Sequence, residues 1–324
     1  MVPSRVLSWS AHTRMPELPE VETVARGLRQ SILGRRIVSV TLGKTDFIDD
    51  PAALEQHLPG QRISAVERYG KFMLLRLVPP QQTESFQSSA GGAKNENSVA
   101  GSLLVHLGMT GHIAPFPAAK PHEKHTHVCF LLDDGRELRY IDARRFGRMA
   151  YLEGPALEEE LQEFGADPLV VSPEEFVALV QAHRARIKAL LLDQGVLRGV
   201  GNIYADESLW RAKIHPARLG AQLTTKQART LHRVLRDILE KAIVLRGSSI
   251  SDFLDAEGER GEYQRRHRAY GREGKRCYRC GKLIRRALVA GRSSYFCPRC
   301  QPPPKRFLGT LPLPSPKINR RETH

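Results

Sequence analysis

The sequence predicts an α+β fold, with an N-terminal helix and an antiparallel β-sandwich, then a helical domain, then a small cysteine module. Three observations predict it. Short β-branched and apolar runs follow one another from residue 36 to residue 152. Apolar positions recur at helical spacing between residues 172 and 246. Two C-x2-C pairs stand near the basic C-terminal end.

Composition allows one large domain or two ordinary domains with real cores. The chain has 324 residues, of which 41% are hydrophobic. No apolar run approaches the roughly 20 residues that a membrane-spanning helix needs. Residues 1–14 lack the apolar core of a secretory signal. The composition therefore excludes a membrane-spanning helix and argues against a secreted protein.

Each element of the sandwich region is predicted by its own pattern. Residues 19–33 carry apolar side chains along one helical face, and Gly34 follows as a stop. Asp134-Gly135 is a hairpin signal between the last two strands. The predicted strands are Ile37–Leu42, Ile63–Glu67, Phe72–Val78, Leu103–Leu107, His127–Leu132 and Glu137–Ile141. Residues 79–101 have linker composition and are predicted to form a flexible surface insertion.

The helical region begins at Ser172, where Ser-Pro-Glu-Glu is a capping box with proline in the first turn. The predicted helices are Glu174–His183, Ile187–Asp193, Ile203–Arg211 and Lys226–Arg246. Asn202 follows a glycine-rich turn and is predicted to cap the third of them. Residues 302–324 are rich in proline and charge, and we expect them to be disordered.

The cysteine spacing indicates a structural metal. Four cysteines follow the pattern C-x2-C-x16-C-x2-C, namely Cys277, Cys280, Cys297 and Cys300. This spacing fits a four-thiolate zinc site, which leaves the metal no open position for catalysis. Two disulfides would use the same residues, but the absence of a secretory signal disfavours them. Cys129 lies in an apolar run and is predicted to be a core residue.

The net charge of +15 is concentrated near the cysteines. Residues 260–306 contain 15 Lys or Arg and 2 Asp or Glu, a difference of 13. Such a block indicates a polyanionic partner, with nucleic acid the leading candidate. A basic solvated surface or a disordered arm is the alternative that charge alone leaves open.

Residues 15–22, Met-Pro-Glu-Leu-Pro-Glu-Val-Glu, carry the strongest chemical signal. If the chain starts at Met15 and loses this methionine, Pro16 becomes a free secondary amine beside the Glu17 carboxyl. An α-amino group has a pKa of about 8 and can attack an electrophilic carbon to form an iminium. Residues 1–14 would turn that amine into an amide. We therefore expect them to be absent from the mature protein, with Met15 as the true start.

Five motifs stand in one order along the chain. They are Pro16-Glu17-Leu18-Pro19-Glu20, His106-Leu107-Gly108-Met109-Thr110-Gly111, Arg144-Arg145-Phe146-Gly147, Gly199-Val200-Gly201-Asn202-Ile203-Tyr204 and the four cysteines. Over residues 15 to 301 the chain resembles the bacterial formamidopyrimidine-DNA glycosylases (the MutM/Fpg family). The related endonuclease VIII family usually begins Pro-Glu-Gly-Pro-Glu, so Leu18 favours the branch that acts on purines.

The resemblance implies four catalytic residues. Pro16 would attack the sugar, and Glu17 would act as general acid. Lys71 would contact phosphate and carry a proton during elimination, and Arg292 would hold the phosphates that flank the lesion. Without the resemblance, Pro16 and Glu17 are an ordinary acidic helix start, and Lys71 is most simply a solvated charge.

The resemblance also implies which residues contact DNA. A base must leave the stack before an enzyme can act on it, and the gap must be filled. Met109 would fill this space, Arg144 would pair with the orphaned base, and Phe146 would wedge into the stack. Asn202 would bind phosphate in a helix–two-turn–helix element. The further implied contacts are His106, His125, Arg184 and Lys188.

One motif departs from the family pattern. Ala143 stands where the family usually has proline before the arginine pair. The loss of proline could loosen the loop that carries Arg144, but it removes no contacting side chain.

The resemblance implies the following organisation. Residues 15–153 form a catalytic β-sandwich domain, 154–263 a helical DNA-binding domain with a lesion-capping loop at 247–263, and 264–301 a zinc ribbon. DNA would bind in a basic cleft between the sandwich and the helical domain. We expect a monomer in the bacterial cytoplasm, associated with the nucleoid, with one zinc per chain.

The implied activity is removal of oxidised purines from double-stranded DNA, followed by β- and δ-elimination at the abasic site. Three alternatives stay open at this point. One is an endonuclease VIII-like enzyme for oxidised pyrimidines, and another is a non-catalytic lesion-binding protein with a blocked N-terminus. A zinc-ribbon transcription or RNA-binding module is a weaker third, because it does not explain the Pro-Glu start.

Overall fold

The structure is a computed structural model that describes residues 15–79, 101–249, 253, 255–256 and 258–304. The predicted extension 1–14 lies outside the described residues, as do nearly all of the predicted insertion and tail. So do residues 250–252, 254 and 257 of the predicted lesion loop. None of the described helices is long and apolar enough to cross a membrane.

The elements alternate between helices and antiparallel strands, which confirms the predicted α+β class. The helices are α1 (Leu18–Ile32), α2 (Pro51–His57), α3 (Gly154–Gln162), α4 (Pro173–Gln181), α5 (Ile187–Leu192), α6 (Asn202–Ala212) and α7 (Thr225–Val244). The strands are β1 (Ile37–Leu42), β2 (Arg62–Tyr69), β3 (Phe72–Val78), β4 (Gly101–His106), β5 (His112–Pro117), β6 (Thr126–Leu132), β7 (Arg136–Ile141), β8 (Arg148–Leu152), β9 (Arg285–Val289) and β10 (Arg292–Phe296).

Every predicted helix and strand is present, with ends that differ by two residues at most. The sequence patterns missed α2, α3, β5 and β8. Strand β5 contains Pro115 and Pro117, which count against a strand because proline has no N–H for the ladder. Both β5 and β8 lie at the edge of their sheets, where one side of the strand needs no partner.

The described chain divides into two compact units. The first unit contains the described residues up to 171 and those within 193–201 and 236–266. The second unit contains residues 172–192, 202–235 and the described residues from 267 onwards. Helix α7 contributes to both. The domain boundaries derived from the sequence stay a prediction.

The first unit is a β-sandwich with a helix in its core. One sheet has the order β1-β6-β7-β5, the other β2-β3-β4-β8, and every strand pair named here is antiparallel. Apolar side chains of both sheets share one core with α1, through residues such as Val21, Leu28, Leu75 and Phe130. Burying this helical face between the sheets fixes where the residues just before α1 lie.

The second unit packs the cysteine module onto helix α6. The Trp210 side chain of α6 shares a buried cluster with Ala269, Ile284, Cys277 and Cys297. The capping box that starts α4 is confirmed, because the Glu175 N–H donates to Ser172 Oγ (3.2 Å) and the Ser172 N–H donates to Glu175 Oε2 (3.0 Å).

Candidate active site

The N-terminal motif is buried where α1 begins. Pro16 and Glu17 are both buried, and Leu18 is the first helical residue. The Glu17 N–H donates to Glu20 Oε2 at 2.9 Å, as part of a capping box between these two residues. The backbone at Pro16 is therefore held in place by the helix that follows it.

The loop of residues 194–201 lies against this segment. The Leu18 N–H donates to Gly199 O at 2.9 Å, and the Gly201 N–H donates to Glu17 Oε2 at 2.9 Å. A Cβ at position 201 would lie 2.3 Å from Glu17 Cδ, so only glycine lets the backbone approach the carboxylate. Gln194 fixes the loop, since its side chain binds Gly199 N (2.8 Å) and Val200 O (3.0 Å).

Lys71 reaches the same region through a tight turn between β2 and β3. Gly70 has φ +63°, and a Cβ there would lie 3.3 Å from Gly199 N. Lys71 is buried, with 7% of its surface exposed, so it is not the solvated strand-end charge of the simpler interpretation. The first unit therefore brings Pro16-Glu17, Lys71 and the 199–201 turn together, although they are far apart in sequence.

Glu20 is a site residue that the sequence patterns did not single out. Its Oε1 accepts a hydrogen bond from the Ser248 N–H at 2.6 Å, while Oε2 accepts from Glu17. One buried carboxylate thus joins the N-terminal motif to the start of the predicted lesion loop. The three-residue spacing of Glu17 and Glu20 is a capping-box signal that could have indicated it.

Asp142 organises the loop that carries Arg144 and Phe146. The Asp142 side chain is fully buried, and Oδ2 accepts from the Gly147 N–H at 2.8 Å. Its Oδ1 accepts from the Arg144 N–H at 3.2 Å and from the Thr110 hydroxyl. Because Thr110 follows Met109, this carboxylate ties the Met109 turn and the Arg144 loop into one surface.

The two arginines of this loop have different surroundings. Arg144 is exposed, and its guanidinium lies 4.4 Å from the centre of the Phe146 ring, which is itself 37% exposed. Arg145 adopts φ +52° and binds Asp46 at 2.9 Å, which lowers the pKa of the Asp46 carboxyl. Arg144 and Phe146 are therefore the pair available to a ligand.

The two predicted histidine contacts are not equivalent. His106 is buried, and its Nδ1 accepts from the Gly108 N–H at 3.1 Å, so it positions the turn before Met109. His125 is exposed and has φ +71°. Only His125 offers its ring to a ligand directly.

Of the three predicted contacts in the second unit, one is exposed, one is half-buried and one is fully buried. Arg184 is exposed. Asn202 is the first residue of α6, and its Oδ1 is buried without a hydrogen-bond partner among the described residues, so the predicted cap is wrong. Lys188 is fully buried and donates to Asp206 Oδ1 (2.7 Å) and Ser293 O (2.8 Å). Its burial does not fit a direct DNA contact.

Arg292 opens β10 directly after a two-residue turn. Ala290 and Gly291 both have positive φ, as a type I′ hairpin turn requires. Asp206 positions this strand through two contacts. Its Oδ2 accepts from the Tyr295 N–H at 2.9 Å, and its Oδ1 accepts from Lys188, which also donates to Ser293 O. Burial raises the pKa of Asp206 to about 6, although Lys188 opposes the shift.

The adjacent Glu207 anchors the chain that leads into the cysteine module. Its carboxylate accepts the N–H groups of Arg268, Ala269 and Tyr270 at 2.8 to 3.0 Å. Burial raises the pKa of Glu207 despite these donors. Two neighbouring buried carboxylates on α6 therefore position the module, and the sequence patterns had assigned neither a role.

The four predicted metal ligands do come together. Cys277, Cys280, Cys297 and Cys300 place their sulfur atoms within 4.8 Å of one another. Burial and then the thiols of Cys280 and Cys297 raise the pKa of Cys300 to about 12. A divalent cation would remove this mutual repulsion, and four thiolates suit tetrahedral zinc. The cluster fits one structural zinc.

Three family models match consecutive parts of the chain. The formamidopyrimidine-DNA glycosylase N-terminal domain matches residues 15–149, and the H2TH domain of the same enzymes matches residues 164–254. The zinc finger found in FPG and IleRS matches residues 274–303. A formamidopyrimidine-DNA glycosylase of Desulforamulus reducens is 42% identical over 295 residues, which span 89% of this chain and 99% of that protein. The chain belongs to the formamidopyrimidine-DNA glycosylase family.

Other members of the family agree in sequence and in structure. The formamidopyrimidine-DNA glycosylase of Nocardia farcinica is 40% identical, covering 90% of this chain and all of its own. The Lactococcus lactis Fpg in complex with abasic-site DNA superposes with a TM-score of 0.76 at 32% identity, covering 89% and 100% of the two chains. MutM (Fpg) of Thermus thermophilus gives 0.72 at 38% identity, with 88% and 98% covered.

Proposed function

We propose that this protein is a base-excision-repair DNA glycosylase and AP lyase that removes oxidised purines and then cuts the strand. The buried cluster of Pro16, Glu17, Lys71 and the 199–201 turn carries the proposal. It sets a potential amine nucleophile next to a carboxyl group, and a buried lysine follows the Gly70 turn that packs on Gly199. These are the groups that imine formation and elimination need.

The reaction follows from these groups. The Pro16 nitrogen forms a bond to the sugar C1′ while the bond from C1′ to the base breaks, and the leaving base takes up the proton that the Pro16 nitrogen releases. Glu17 protonates the ring oxygen as the sugar opens, which leaves an iminium. The iminium acidifies the C2′ proton, and its removal expels the 3′ phosphate. A second elimination expels the 5′ phosphate, with Lys71 as proton carrier.

DNA contacts are proposed for each unit separately. In the first unit, Met109, Arg144 and Phe146 would occupy the space of the displaced base, and His125 would contact the backbone. In the second unit, Asn202, Arg184 and Arg292 would bind phosphates. His106 and Lys188 enter the proposal as positioning residues, because both side chains are buried within their own unit.

Purine lesions are the proposed substrate for two reasons. Lactococcus lactis Fpg has been solved in complexes with DNA containing Fapy-dG and with abasic DNA, at 32% identity to this chain. Leu18, at 0% exposure, occupies the position where endonuclease VIII usually has glycine. This substrate also places the enzyme with the chromosome in the bacterial cytoplasm. Zinc would hold the Arg292 hairpin in shape and take no part in the chemistry.

The mature chain is proposed to begin at Pro16. The N-terminal family model matches from residue 15, which supports this start. Residues 15–153, 154–263 and 264–301 keep their proposed roles as catalytic domain, DNA-binding domain and ribbon.

Borohydride trapping tests the proposal. The protein would be produced from Met15 and, in parallel, from Met1, with each N-terminus verified by mass spectrometry. Each form would be mixed with a duplex that carries one 8-oxoguanine opposite cytosine, and with the same duplex carrying an oxidised pyrimidine. We expect a covalent adduct with the purine lesion from the Met15 form alone.

The other outcomes are equally informative. An adduct from an intact Met1 form would move the nucleophile away from Pro16, with Lys71 the first residue to test. Trapping only on the pyrimidine duplex would favour the endonuclease VIII-like alternative. Tight binding without any adduct from either form would leave a lesion-binding protein.

A further inference from the structure

A second cluster of metal-ligating side chains lies on the sandwich, outside the site described above. His122 comes from the loop of residues 118–125 between β5 and β6, Cys129 from β6, and Glu137 from β7. Their ligand atoms lie within 4.8 Å of one another. We propose that His122, Cys129 and Glu137 form a second zinc site, distinct from the four-cysteine ribbon and unrelated to the glycosylase chemistry.

The distances suit a metal with little rearrangement. His122 Nε2 lies 2.9 Å from Glu137 Oε2 and 3.9 Å from Cys129 Sγ. A tetrahedral zinc with ordinary bond lengths sets its nitrogen and oxygen ligands about 3.4 Å apart and its nitrogen and sulfur ligands about 3.6 Å apart. Each observed distance is thus within roughly half an ångström of that geometry.

The sheet itself brings two of the ligands together. Cys129 is paired across the ladder with Arg139, and Glu137 lies two residues before Arg139 on the same face of β7. Cys129 is buried with 6% exposure, whereas the His122 side chain is 50% exposed. A metal could therefore enter from the solvent side and leave its fourth position to water.

The charges around the cluster favour a divalent cation. Glu137 also accepts from Arg139 Nε at 2.8 Å, and the buried Arg139 reaches Glu123 at 3.4 Å. Lys120 binds Glu123 from the solvent side at 2.7 Å. Arg139 thus already donates to Glu137 Oε2, the oxygen that lies 2.9 Å from His122 Nε2. A carboxylate oxygen has two lone pairs, so Oε2 could keep this hydrogen bond and also bind the metal. With the thiol of Cys129 ionised, the two glutamates, the thiolate, Arg139 and Lys120 would carry a net charge of −1, so a divalent cation would meet an anionic site.

The donor set selects the class of metal. A thiol, an imidazole and a carboxylate together suit zinc and its chemical neighbours, and they do not suit calcium or magnesium, which prefer oxygen ligands alone. Three protein ligands with an open fourth position also differ from the closed ribbon site. Zinc at this position would be held more weakly than zinc on four thiolates.

A metal here would fasten the 118–125 loop to the sheet. Backbone carbonyls of Pro117, Lys120 and Pro121 already accept from the Arg139 guanidinium at 2.6 to 3.4 Å. His125 ends this loop, in a left-handed conformation and exposed. Zinc bound through His122 would restrict the residue that the proposed function places against DNA.

The test is a zinc titration of the full-length protein, made without a histidine tag and with the ribbon already loaded. Bound zinc would be counted by atomic absorption and by a chromophoric competitor. Cobalt would be used in parallel, because a thiolate ligand gives cobalt(II) an intense near-ultraviolet charge-transfer band. The variants are Cys129→Ser and His122→Ala. The matched control is His57→Ala, which removes a comparably exposed histidine near Glu153 (3.8 Å) that belongs to neither metal-ligand cluster.

We expect two zinc ions per wild-type chain, and two in His57→Ala. Each cluster variant should bind its second zinc at least about 30-fold more weakly, and Cys129→Ser should lose the cobalt band. A single zinc per wild-type chain would overturn the proposal. A second zinc that survives both cluster substitutions would overturn it equally. His122→Ala changes an exposed residue, so a folding defect in Cys129→Ser would not hide the result.

Discussion

The loop around Arg144 and the hairpin around Arg292 present an exposed or half-exposed arginine in different ways. In the first unit, one buried carboxylate, Asp142, collects backbone and hydroxyl donors and shapes the whole loop. In the second unit, the hairpin is held by a metal-ligand cluster and by the buried pair of Lys188 and Asp206.

The Asp142 loop and the Arg292 hairpin differ in the groups that stabilise them. The Asp142 loop is stabilised by contacts within the chain, namely the hydrogen bonds to Asp142 and the Arg145–Asp46 ion pair, so it requires no bound ion. The Arg292 hairpin needs a bound cation and a buried ion pair, and a buried pair costs much when one partner is lost. The second unit should therefore be the more sensitive to metal, mutation and acid.

Loss of the ribbon metal should have the largest effect. We expect Cys297→Ala to lose its ribbon zinc and to reduce strand cleavage by more than about 1000-fold, because structural zinc supplies roughly 10 kcal/mol or more of folding free energy. Metal content and nicking of abasic DNA are the readouts. Cys129→Ser, which alters a buried cysteine of the first unit, is the control and should keep its ribbon zinc and its nicking activity. Normal cleavage by a zinc-free ribbon would refute this dependence.

The buried ion pair should come next. Lys188→Met leaves Asp206 buried and unpaired, and we expect it to destabilise the second unit by about 3–5 kcal/mol in urea denaturation. Lys188→Met/Asp206→Asn should recover most of the stability and the DNA affinity, because the amide can still bind the Tyr295 N–H. If affinity stays low in a stable double variant, Lys188 contacts DNA directly.

Arg184→Ala should instead lower the salt dependence of binding by about one charge.

Removing the Asp142 carboxylate should disturb the loop that carries Arg144. Asp142→Ala should cost about 2–4 kcal/mol of stability, since it leaves the Gly147 and Arg144 N–H groups without their acceptor. Asp142→Asn keeps one acceptor oxygen and should lose less. DNA affinity, measured at a temperature at which both variants stay folded, should also fall in both. An unchanged affinity in Asp142→Ala would show that the loop is ordered by other contacts.

Adjacent arginines supply the most direct test of the DNA contact. Arg144→Ala should weaken binding to abasic DNA by about 1–3 kcal/mol, because it removes a charged group exposed to the ligand. Arg145→Ala removes the same charge one residue away, but Arg145 is turned to Asp46 and should change affinity less than threefold, about 0.6 kcal/mol. Equal losses in the two variants would mean that only total charge matters.

Acid should destabilise the second unit through a buried histidine. Burial lowers the pKa of His215 to about 4, so the unfolded chain binds a proton more readily than the fold does. The free energy of unfolding keeps its full value above about pH 6.5 and decreases as the pH falls towards 4. The loss reaches about 2 kcal/mol at pH 5. Urea denaturation at pH 7 and pH 5 with excess zinc measures this loss. His215→Gln should reduce the difference, although burial also lowers the pKa of His267 to about 4 and this histidine keeps its share. An unchanged difference would assign the loss elsewhere.

The sequence was sufficient for most elements because their signals are local. Alternation and a capping box lie within a few residues, and the four-cysteine spacing lies within 24, and these predictions hold. Lys188 shows what local patterns miss. The family resemblance implied a DNA contact for Lys188, but the side chain binds Asp206 and Ser293, which are 18 and 105 residues away. Asp142 and Glu20 each combine local donors with a distant one, Thr110 and Ser248 respectively, which only the fold brings near.

The pairing of β3 with β4 has a practical consequence. Leu77 and Gly101 face each other in the ladder, so the chain leaves the sheet and rejoins it at neighbouring positions. Paired residues of antiparallel strands are about 5 Å apart, and the entropy of closing a loop changes by only about 0.6 kcal/mol for each doubling of its length. The sandwich is therefore nearly indifferent to how much polypeptide joins these strands. A fluorescent reporter or an affinity domain could be inserted there, leaving the proposed N-terminal nucleophile untouched.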